Sequence, residues 1–531
     1  MGRFNFTKFL LKVAEKLNFF VSKIDKRLAE IDFTLILLGV FALFLSFPPL
    51  SLPIVGFIAL MPLMVSAGRG RPFFKFFVAG FALFAANLYF INYLQIEARY
   101  KIAIFFGYVA LSAYLAIYYA VFGWLFSKSD HRSWGDWLLF PSLWVAMEWL
   151  RSVSDTGFPW LPMWATQLGD LPIAKLASII GPFGVSWLVV FMNYWAYKVV
   201  KLRSKRLGVS WLIVVALLHL VGFGLMDHES WNDGNVRTVR VAVLQPNVLP
   251  RALYDPKEWG ETVKAFDSLI DSVRERDVDI VILSESAFPG FYRLSKRTQN
   301  YVRKMARRIG APVLFGSADF SDQSREIYNA VFVVDTNGEL IGRYYKVQLV
   351  PFSEHLPFEE RIDFLKRIDL GQSDYRPGHS LEPIDIGKAK LGVLICFESI
   401  FPRIARKEVQ NGAELLVNVT NDGWFGKTLG PMVHFELARF RAIETGRFLV
   451  RSAKTGISAV VDPNGRIVRS IGLFKYGFFV EDVPVLEGDT LYLRIGDVAA
   501  WLSLAIVALF ALVALFNYAF RILLRRRTAP R

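Results

Sequence analysis

The chain has 531 residues, of which 53% are hydrophobic, 15% aromatic and only 21% charged. This composition is too apolar for a soluble globular protein, and the length is too great for one ordinary domain. The net charge of +15 would suit a nucleic-acid-binding protein, but its distribution along the chain argues against that class.

Residues 1–32 form a basic segment at the start of the chain. Phe4–Phe20 is amphipathic, with Lys8, Lys12 and Lys16 on one helix face at four-residue spacing. The pattern fits a helix that lies along the cytoplasmic membrane surface, and it fits a plain solvated helix equally well. No cleavable signal peptide is evident.

Long apolar blocks follow in residues 33–227, and one more occupies residues 498–524. A helix needs about 20 residues to cross about 30 Å of hydrocarbon. The blocks predict an all-α membrane domain of about eight helices, seven of them before residue 227, although the first two are short and also fit a hairpin or a re-entrant pair. In chain order they are Phe33–Phe47, Leu52–Ser66, Phe73–Leu94, Ile102–Phe126, Trp137–Leu150, Ile173–Val200, Ser210–Leu225 and Val498–Leu523.

Lysine and arginine concentrate in alternate loops and in the basic tail, residues 525–531, whereas none lies near Pro48–Pro53. This positive-inside pattern predicts that both termini are cytoplasmic. After seven crossings, residues 239–491 then face the periplasm or the cell exterior of a bacterium. A single cysteine suits that oxidising space.

Residues 239–491 have the composition of a soluble domain. Buried strands alternate with helices in the first half, and hairpins with Asn-Gly turns follow. The pattern predicts an α/β sandwich of two sheets with helices outside, inserted before the last membrane helix. The predicted strands are Arg240–Pro246, Asp279–Ser284, Pro312–Gly316, Tyr328–Asp335, Leu340–Tyr345, Lys390–Cys396, Leu415–Val419, Phe448–Ser452, Gly456–Val461 and Arg466–Ile471.

Cys396 is the only cysteine in the chain, so it cannot form an internal disulfide. It closes a buried strand, and a helix-like stretch begins near Ile400. A strand-to-helix turn exposes a side chain at the carboxyl end of a sheet, where open α/β sheets place their chemistry. A buried structural cysteine is the alternative.

Glu285 and Lys346 also directly follow strands or strand-like runs, with solvated strand ends as the alternative interpretation. A carboxylate can take a thiol proton, and an ammonium can stabilise a thiolate and a developing oxyanion. Together with Cys396, these residues contain a base, an electrostatic stabiliser and a nucleophile.

Three motifs around these residues carry a family resemblance. They are Ser284-Glu285-Ser286-Ala287-Phe288-Pro289, Tyr345-Lys346-Val347-Gln348-Leu349-Val350-Pro351-Phe352-Ser353-Glu354 and Ile395-Cys396-Phe397-Glu398. The set resembles the nitrilase, or carbon–nitrogen hydrolase, superfamily, which implies an αββα sandwich with a glutamate–lysine–cysteine triad. With a multispan membrane region around that domain, the chain resembles the apolipoprotein N-acyltransferase family over almost its whole length.

The resemblance implies a role for each site residue. Cys396 is the nucleophile, Glu285 is the general base, and Lys346 stabilises the tetrahedral oxyanion together with the backbone N–H of Phe397. The remaining implied residues are two further carboxylates of the site and an aromatic ring that lines the lipid access route, namely Glu354, Glu398 and Trp424.

The chain departs from the family pattern at three positions. Phe397 stands where a tyrosine is frequent, so it keeps the ring and loses the hydroxyl. Tyr254 is the nearest candidate for a tryptophan in the loop after the first strand. Ser353 stands where a glycine is usual.

The implied function is acyl transfer from a membrane phospholipid, through a thioester on Cys396, to the N-terminal amine of S-diacylglyceryl-cysteine lipoproteins in the bacterial inner (cytoplasmic) membrane. We expect no cofactor and no metal, because the six histidines show no HxxxH spacing and one cysteine excludes a cysteine-rich zinc site. One alternative is a membrane-tethered amidase or nitrilase-type hydrolase. Another is a transport or scaffold protein with a degenerate nitrilase domain.

Overall fold

The computed structural model describes residues 26–94, 98–153, 156–226, 231, 236–249, 256–321, 325–358 and 373–527. The predicted amphipathic stretch Phe4–Phe20 and the candidate residue Tyr254 lie outside these ranges. Within them, a helical region precedes a region of strands and helices, and one long helix ends the described chain.

The helical region contains apolar helices of very different lengths. In chain order the helices are α1 (Lys26–Ser46), α2 (Pro53–Gly56), α3 (Met61–Ala67), α4 (Pro72–Leu88), α5 (Lys101–Phe126), α6 (Asp136–Leu150), α7 (Leu171–Lys175), α8 (Ala177–Leu202) and α9 (Lys205–Leu225).

Five helical segments in the described ranges are long and apolar enough to cross a membrane. They are Pro72–Tyr93, Ala98–Phe126, Ala177–Leu202, Lys205–Leu225 and Val498–Ile522. The apolar segments Asp32–Ser46 and Pro53–Ala67 are shorter. A helical region with several membrane-capable helices is therefore confirmed.

Two of the predicted spans are interrupted. The block Leu52–Ser66 is divided between α2 and α3, and Ile173–Val200 is divided between α7 and α8. Inside α8 the backbone leaves the helical conformation at Gly181, where φ is 70°. Glycine tolerates this angle, and the following Pro182 has no N–H to continue the helical hydrogen bonds.

The second region has two six-stranded sheets, with strand orders β12-β1-β2-β3-β4-β5 and β11-β10-β9-β8-β7-β6. The strands are β1 (Thr238–Gln245), β2 (Ile280–Ile282), β3 (Val313–Phe320), β4 (Ile327–Val334), β5 (Leu340–Tyr345), β6 (Ile384–Asp385), β7 (Lys390–Ile395), β8 (Leu415–Thr420), β9 (Leu449–Ala453), β10 (Ser458–Val461), β11 (Ile467–Ile471) and β12 (Gly477–Pro484). The helices of this region are α10 (Pro256–Val273), α11 (Lys296–Ile309), α12 (Pro402–Gln410), α13 (Gly430–Thr445) and α14 (Leu491–Ile495), and α15 (Val498–Arg527) follows.

Both faces of the central strands are buried, which explains their nearly continuous apolar sequences. In β1, Val241 and Val243 pack into the core between the sheets, whereas Ala242 and Leu244 face a core shared with α10 and α11. The second sheet is covered in the same way by α12 and α13. The four layers are therefore helix, sheet, sheet, helix, which confirms the predicted αββα sandwich.

Aromatic contacts join the sandwich to the helical region. The rings of Trp164 and Phe440 have centroids 4.3 Å apart, and those of Phe90 and Phe425 are 4.8 Å apart. Lys175 Nζ donates to the carbonyl of Pro463 at 2.7 Å. The second sheet, which carries Cys396 at the end of β7, is therefore the side of the sandwich nearest the membrane-capable helices.

Candidate active site

Cys396 occupies a strained turn at the carboxyl end of β7. Its φ is 49°, in the left-handed region that a non-glycine residue adopts at a cost of about 1–3 kcal/mol. The chain leaves a strand that is buried from Leu391 onward and enters a 3-10 turn over Cys396–Ile400. The turn keeps part of the Cys396 side chain accessible, and the hydroxyl of Thr420, at the end of the neighbouring β8, donates to Asp422 Oδ1 at 2.9 Å.

The surroundings hold the Cys396 thiol in its neutral form at rest. Burial raises the pKa of the thiol, and the nearby Glu285 and Asp422 carboxyls raise it further. Lys346 and the Thr420 hydroxyl lower the same pKa but do not outweigh these effects. The sulfur therefore needs a base to remove its proton before it becomes nucleophilic.

Glu285 lies shortly after β2, buried and fixed at both oxygens. Oε1 accepts a hydrogen bond from Asn329 Nδ2 at 2.8 Å, and Oε2 accepts one from the backbone N–H of Asn421 at 3.0 Å. Burial raises the pKa of Glu285, and although Lys346 lowers it, the pKa stays above its ordinary value. A carboxyl with a raised pKa is better matched to proton transfer near neutral pH.

The backbone around Glu285 is braced on two sides. Ser286 has a φ of 46°, and its carbonyl accepts a hydrogen bond from Lys454 Nζ at 3.1 Å. A Cβ at Gly316 would lie 2.6 Å from the Glu285 Cα, so this strand neighbour must be glycine. These contacts fix the turn that presents the carboxyl.

Lys346 follows β5, and its ammonium is almost fully buried. Nζ lies 2.9 Å from the Glu354 carboxylate and 3.8 Å from Glu285 Oε1. Burial would lower the pKa of Lys346, but Glu354 and Glu285 outweigh it and raise the pKa above its ordinary value. The ammonium therefore stays charged beside the thiol.

Asn329, in the middle of the site, was not among the residues singled out from the sequence. Its Nδ2 donates to Glu285 Oε1 at 2.8 Å and to Glu354 Oε1 at 2.9 Å. It therefore bridges the two carboxylates on either side of Lys346. The signal that could have found it is a lone amide within the otherwise apolar strand β4.

Glu398 is fully buried and contacts backbone rather than the other site carboxylates. Oε1 accepts from the N–H groups of Val347 and Gln348 at 2.7 and 3.1 Å, and Oε2 accepts from that of Ile395 at 2.7 Å. The Tyr344 hydroxyl donates to it as well, at 3.0 Å. Burial raises the pKa of Glu398 to about 7, even though the N–H donors lower it. Glu398 thus clamps the segment after Lys346 to the strand that ends at Cys396.

Of the aromatic candidates, Phe397 contacts the helical region. The ring of Phe397 lies 5.6 Å from that of Phe158 and 5.0 Å from that of Phe401, measured between centroids. Trp424 is half-buried in the 3-10 turn Asp422–Phe425. Its neighbour Phe425 contacts Phe90 of the helical region.

A second polar cluster, formed by Asp422, His434 and Arg451, lies beside Cys396, and the sequence alone assigned it no role. The Asp422 carboxylate is 2.8 Å from His434 Nδ1 and 2.6 Å from Arg451 Nη2. Cys396, Asp422 and His434 each place one potential metal-ligating atom within 4.8 Å of the other two. The carboxylate oxygens already bond to the histidine, the arginine and the Thr420 hydroxyl, so this geometry is that of a hydrogen-bonded network.

Two family profiles match the chain. Residues 240–486 match the carbon-nitrogen hydrolase family, and residues 39–195 match the apolipoprotein N-acyltransferase N-terminal domain. The first match spans the two sheets, and the second covers most of the helical region.

Curated relatives named apolipoprotein N-acyltransferase are similar over most of the chain. The protein from Geobacter metallireducens is 32% identical over 91% of this chain and 95% of its own length. The Vibrio cholerae protein is 32% identical over 77% of this chain and 82% of its own. Among solved structures, a Saccharomyces cerevisiae member of branch 10 of the nitrilase superfamily has a TM-score of 0.37 and 20% identity, covering 47% of this chain and 90% of its own. On the profile matches and the identity shared over nearly the whole length of a relative, this chain belongs to the apolipoprotein N-acyltransferase family.

Proposed function

We propose that the protein transfers an acyl chain from a membrane phospholipid to the N-terminal amine of S-diacylglyceryl-cysteine lipoproteins, through a thioester on Cys396. One observation carries this proposal. A thiol at a left-handed strand end, a buried carboxyl and a charged ammonium occupy one site, on the side of the sandwich that packs against membrane-capable helices.

In the first step, Cys396 Sγ attacks the ester carbonyl of a phospholipid while Glu285 takes the thiol proton. Lys346 and the backbone N–H of Phe397 stabilise the negative charge that develops on the carbonyl oxygen. The C–O bond then breaks, Glu285 returns the proton to the leaving oxygen, and a lysophospholipid departs. The acyl chain remains on sulfur as a thioester.

In the second step, the amine of the lipoprotein attacks the thioester carbonyl. Glu285 accepts a proton from the attacking nitrogen and passes it to Sγ as the C–S bond breaks. The products are the N-acylated lipoprotein and the free thiol. Both steps use only side chains, backbone N–H groups and the two substrates.

The other candidate residues have supporting roles in this scheme. Glu354 holds the Lys346 ammonium in place, and Glu398 fixes the turn between Lys346 and Cys396. Trp424 lines the route by which acyl chains reach the site. We also assign Tyr254 and Phe397 to the positions of the family tryptophan and tyrosine.

We further propose a membrane topology for the chain, supported by the charge of its loops. Segment 1–32 and the basic tail 525–531 are cytoplasmic. Residues 33–227 form about seven membrane helices, the catalytic domain 239–491 is periplasmic, and residues 498–524 cross back as an eighth helix. The site then lies at the outer surface of the inner membrane, where both lipid substrates have their reactive groups.

Intact-mass analysis tests the proposed reaction. Incubation with phospholipid should add the mass of one acyl chain to the protein and release lysophospholipid. Adding an S-diacylglyceryl lipopeptide with a free amine should remove that mass, whereas the same lipopeptide with an acetylated amine should not. Absence of the adduct in wild type, or its presence in Cys396→Ala, would refute the mechanism.

The same experiment separates acyl transfer from the hydrolase alternative, in which water replaces the amine. A transferase should release about one equivalent of lysophospholipid and stop until the amine is added. Continuous release of lysophospholipid and free fatty acid without an amine would identify a hydrolase instead.

A further inference from the structure

The buried cluster of Asp422, His434 and Arg451 has no part in the reaction as described so far. His434 lies on α13 and is buried, and Asp422 and Arg451 are fully enclosed. Of the three, His434 contacts the backbone carbonyl of Cys396, and Asp422 links His434 to Arg451.

Asp422 fixes one nitrogen of the His434 ring. Burial would raise the pKa of Asp422, but His434 and Arg451 lower it to about 2, so the group is a carboxylate. Its Oδ1 lies 2.8 Å from His434 Nδ1, and its Oδ2 accepts from Arg451 Nη2 at 2.6 Å. The ring cannot rotate without breaking this contact.

The other ring nitrogen, Nε2, reaches the turn at Cys396. It lies 3.1 Å from the carbonyl oxygen of Cys396, and Ser399 Oγ donates to the same oxygen at 2.8 Å. Ser399 Oγ also lies 3.1 Å from Nε2, and because its one hydrogen goes to the carbonyl, Nε2 is left to donate; this is the form of the ring that the proposal requires. Two donors therefore hold the carbonyl of a residue whose φ of 49° is unfavourable.

The carbonyl of Cys396 and the N–H of Phe397 belong to one peptide group. That group is planar and trans, so the two bonds point in opposite directions. Fixing the carbonyl therefore fixes the direction of the Phe397 N–H, which is the backbone donor assigned to the oxyanion in the proposed function.

We propose that His434, oriented by Asp422, is a positioning residue that aligns the Cys396–Phe397 peptide so that its N–H faces the reacting carbonyl. The inference rests on the proposed function. One ring nitrogen of His434 lies within 4.8 Å of Sγ, but its hydrogen-bonding contacts are with Asp422, Ser399 and the Cys396 carbonyl, so we assign its effect to the peptide.

Two substitutions of His434 by amide side chains of different length test this role. The His434→Gln amide can place an N–H near the position of Nε2, whereas the His434→Asn amide reaches only the position of Nδ1. We expect His434→Gln to form the thioester within about fivefold of the wild-type rate. His434→Asn should be about 10–100-fold slower at saturating phospholipid, below the 10²–10³-fold cost of removing an oxyanion donor. The half-saturating phospholipid concentration should stay unchanged in both.

Alkylation of Cys396 by iodoacetamide is the matched control, because it needs the sulfur and its base but no oxyanion donor. We expect alkylation within threefold of wild type in both variants. Equal acylation rates in the Gln and Asn variants, or an alkylation rate that falls as much as acylation, would overturn the role of His434. If the wild-type protein is alkylated by iodoacetamide but forms no thioester with phospholipid, the proposed function is refuted instead.

Discussion

In the proposed reaction, the proton on Cys396 must leave before its sulfur attacks the ester. The surroundings raise the pKa of this thiol, so few molecules carry a thiolate at neutral pH. Glu285 is a carboxyl whose own pKa is raised by burial, and both of its oxygens are held in place. A fixed base beside a neutral thiol favours proton transfer during the attack over a preformed ion pair.

This arrangement predicts an acid limit on thioester formation. Glu285 works as a base only when ionised, and its pKa lies above the ordinary value of 4.5. The rate should therefore fall as the pH is lowered, beginning above pH 4.5 rather than below it. Single-turnover rates measured from pH 8 to pH 4 should show this limb, and thermal unfolding at each pH checks that the protein stays folded. A rate that is flat down to pH 4.5 would remove Glu285 from the role of base.

A second prediction concerns Asn329, which bridges Glu285 and Glu354. Its hydrogen bond lowers the pKa of Glu285, so Asn329→Leu should shift the acid limb to higher pH. We also expect about a tenfold slower thioester formation at pH 7, because the bridge no longer positions the base. The control is Tyr328→Phe, which removes a hydroxyl from the adjacent residue of β4. A Leu variant with the wild-type pH profile would contradict the assignment.

Residues at strand ends could be selected from the sequence, and residues that act across strands could not. Cys396 and Glu285 stand out because a reactive group follows an apolar run. Asn329 and His434 matter only because β4 and α13 pack beside those strand ends in three dimensions. No local pattern specifies which elements become neighbours, so the bridge and the cluster behind the nucleophile required the structure.

At the scale of elements, the site depends on how two loops are tied together. Glu398 accepts hydrogen bonds from three backbone N–H groups and from a tyrosine hydroxyl. Glu408, on the neighbouring α12, is equally buried, yet neither of its carboxyl oxygens has a hydrogen-bond partner among the described residues. We therefore expect replacement of Glu398 and replacement of Glu408 to change the stability of the fold in opposite directions.

Replacing Glu398 should destabilise the fold. Glu398→Met leaves three buried N–H groups without acceptors, each worth about 1–3 kcal/mol. We expect a thermal unfolding midpoint several degrees below wild type and at least tenfold slower thioester formation, because the segment after Lys346 is no longer fixed. A variant with wild-type stability would show that the clamp is dispensable.

Replacing Glu408 should stabilise the fold, by an amount that depends on pH. Burial, and after it Glu398, raises the pKa of Glu408 to about 9. A raised carboxyl pKa destabilises the fold increasingly as the pH rises from about 4.5 to 9. Glu408→Met should therefore raise the unfolding midpoint. The corresponding gain in the free energy of unfolding should be on the order of 2–3 kcal/mol at pH 7 and smaller at pH 5. A lower midpoint at both pH values would contradict this account.

The sequence located most sandwich strands and missed β12 for a physical reason. Gly477–Pro484 pairs with β1 in antiparallel register and closes the edge of the first sheet. It carries Glu481 and Asp482 and lacks a clear turn signal before it, so its apolar alternation is weak. Its strand character comes from pairing with β1, a partner about 240 residues earlier in the chain, rather than from its own composition.

At the scale of the whole molecule, the catalytic sandwich and the membrane-capable helices share one apolar core. That core contains residues of α4 and α8 together with residues of α12 and α13. Because the outer helices of the second sheet pack against membrane-capable helices, one side of the sandwich is fixed toward those helices. The position of Cys396 relative to the membrane-capable helices is therefore set by packing.

The proposed topology gives the last prediction, which the single cysteine makes simple to test. In a Cys396→Ala background, Asp489→Cys places an exposed thiol near the end of the catalytic domain, and Lys205→Cys places one at the start of α9. We expect a membrane-impermeant maleimide to label Asp489→Cys in intact spheroplasts and to label Lys205→Cys only after the membrane is permeabilised. Both thiols should react equally in detergent, which controls for local accessibility. Labelling of Lys205→Cys in intact spheroplasts, or protection of Asp489→Cys, would reverse the orientation and place the site on the side of the membrane opposite to the one proposed.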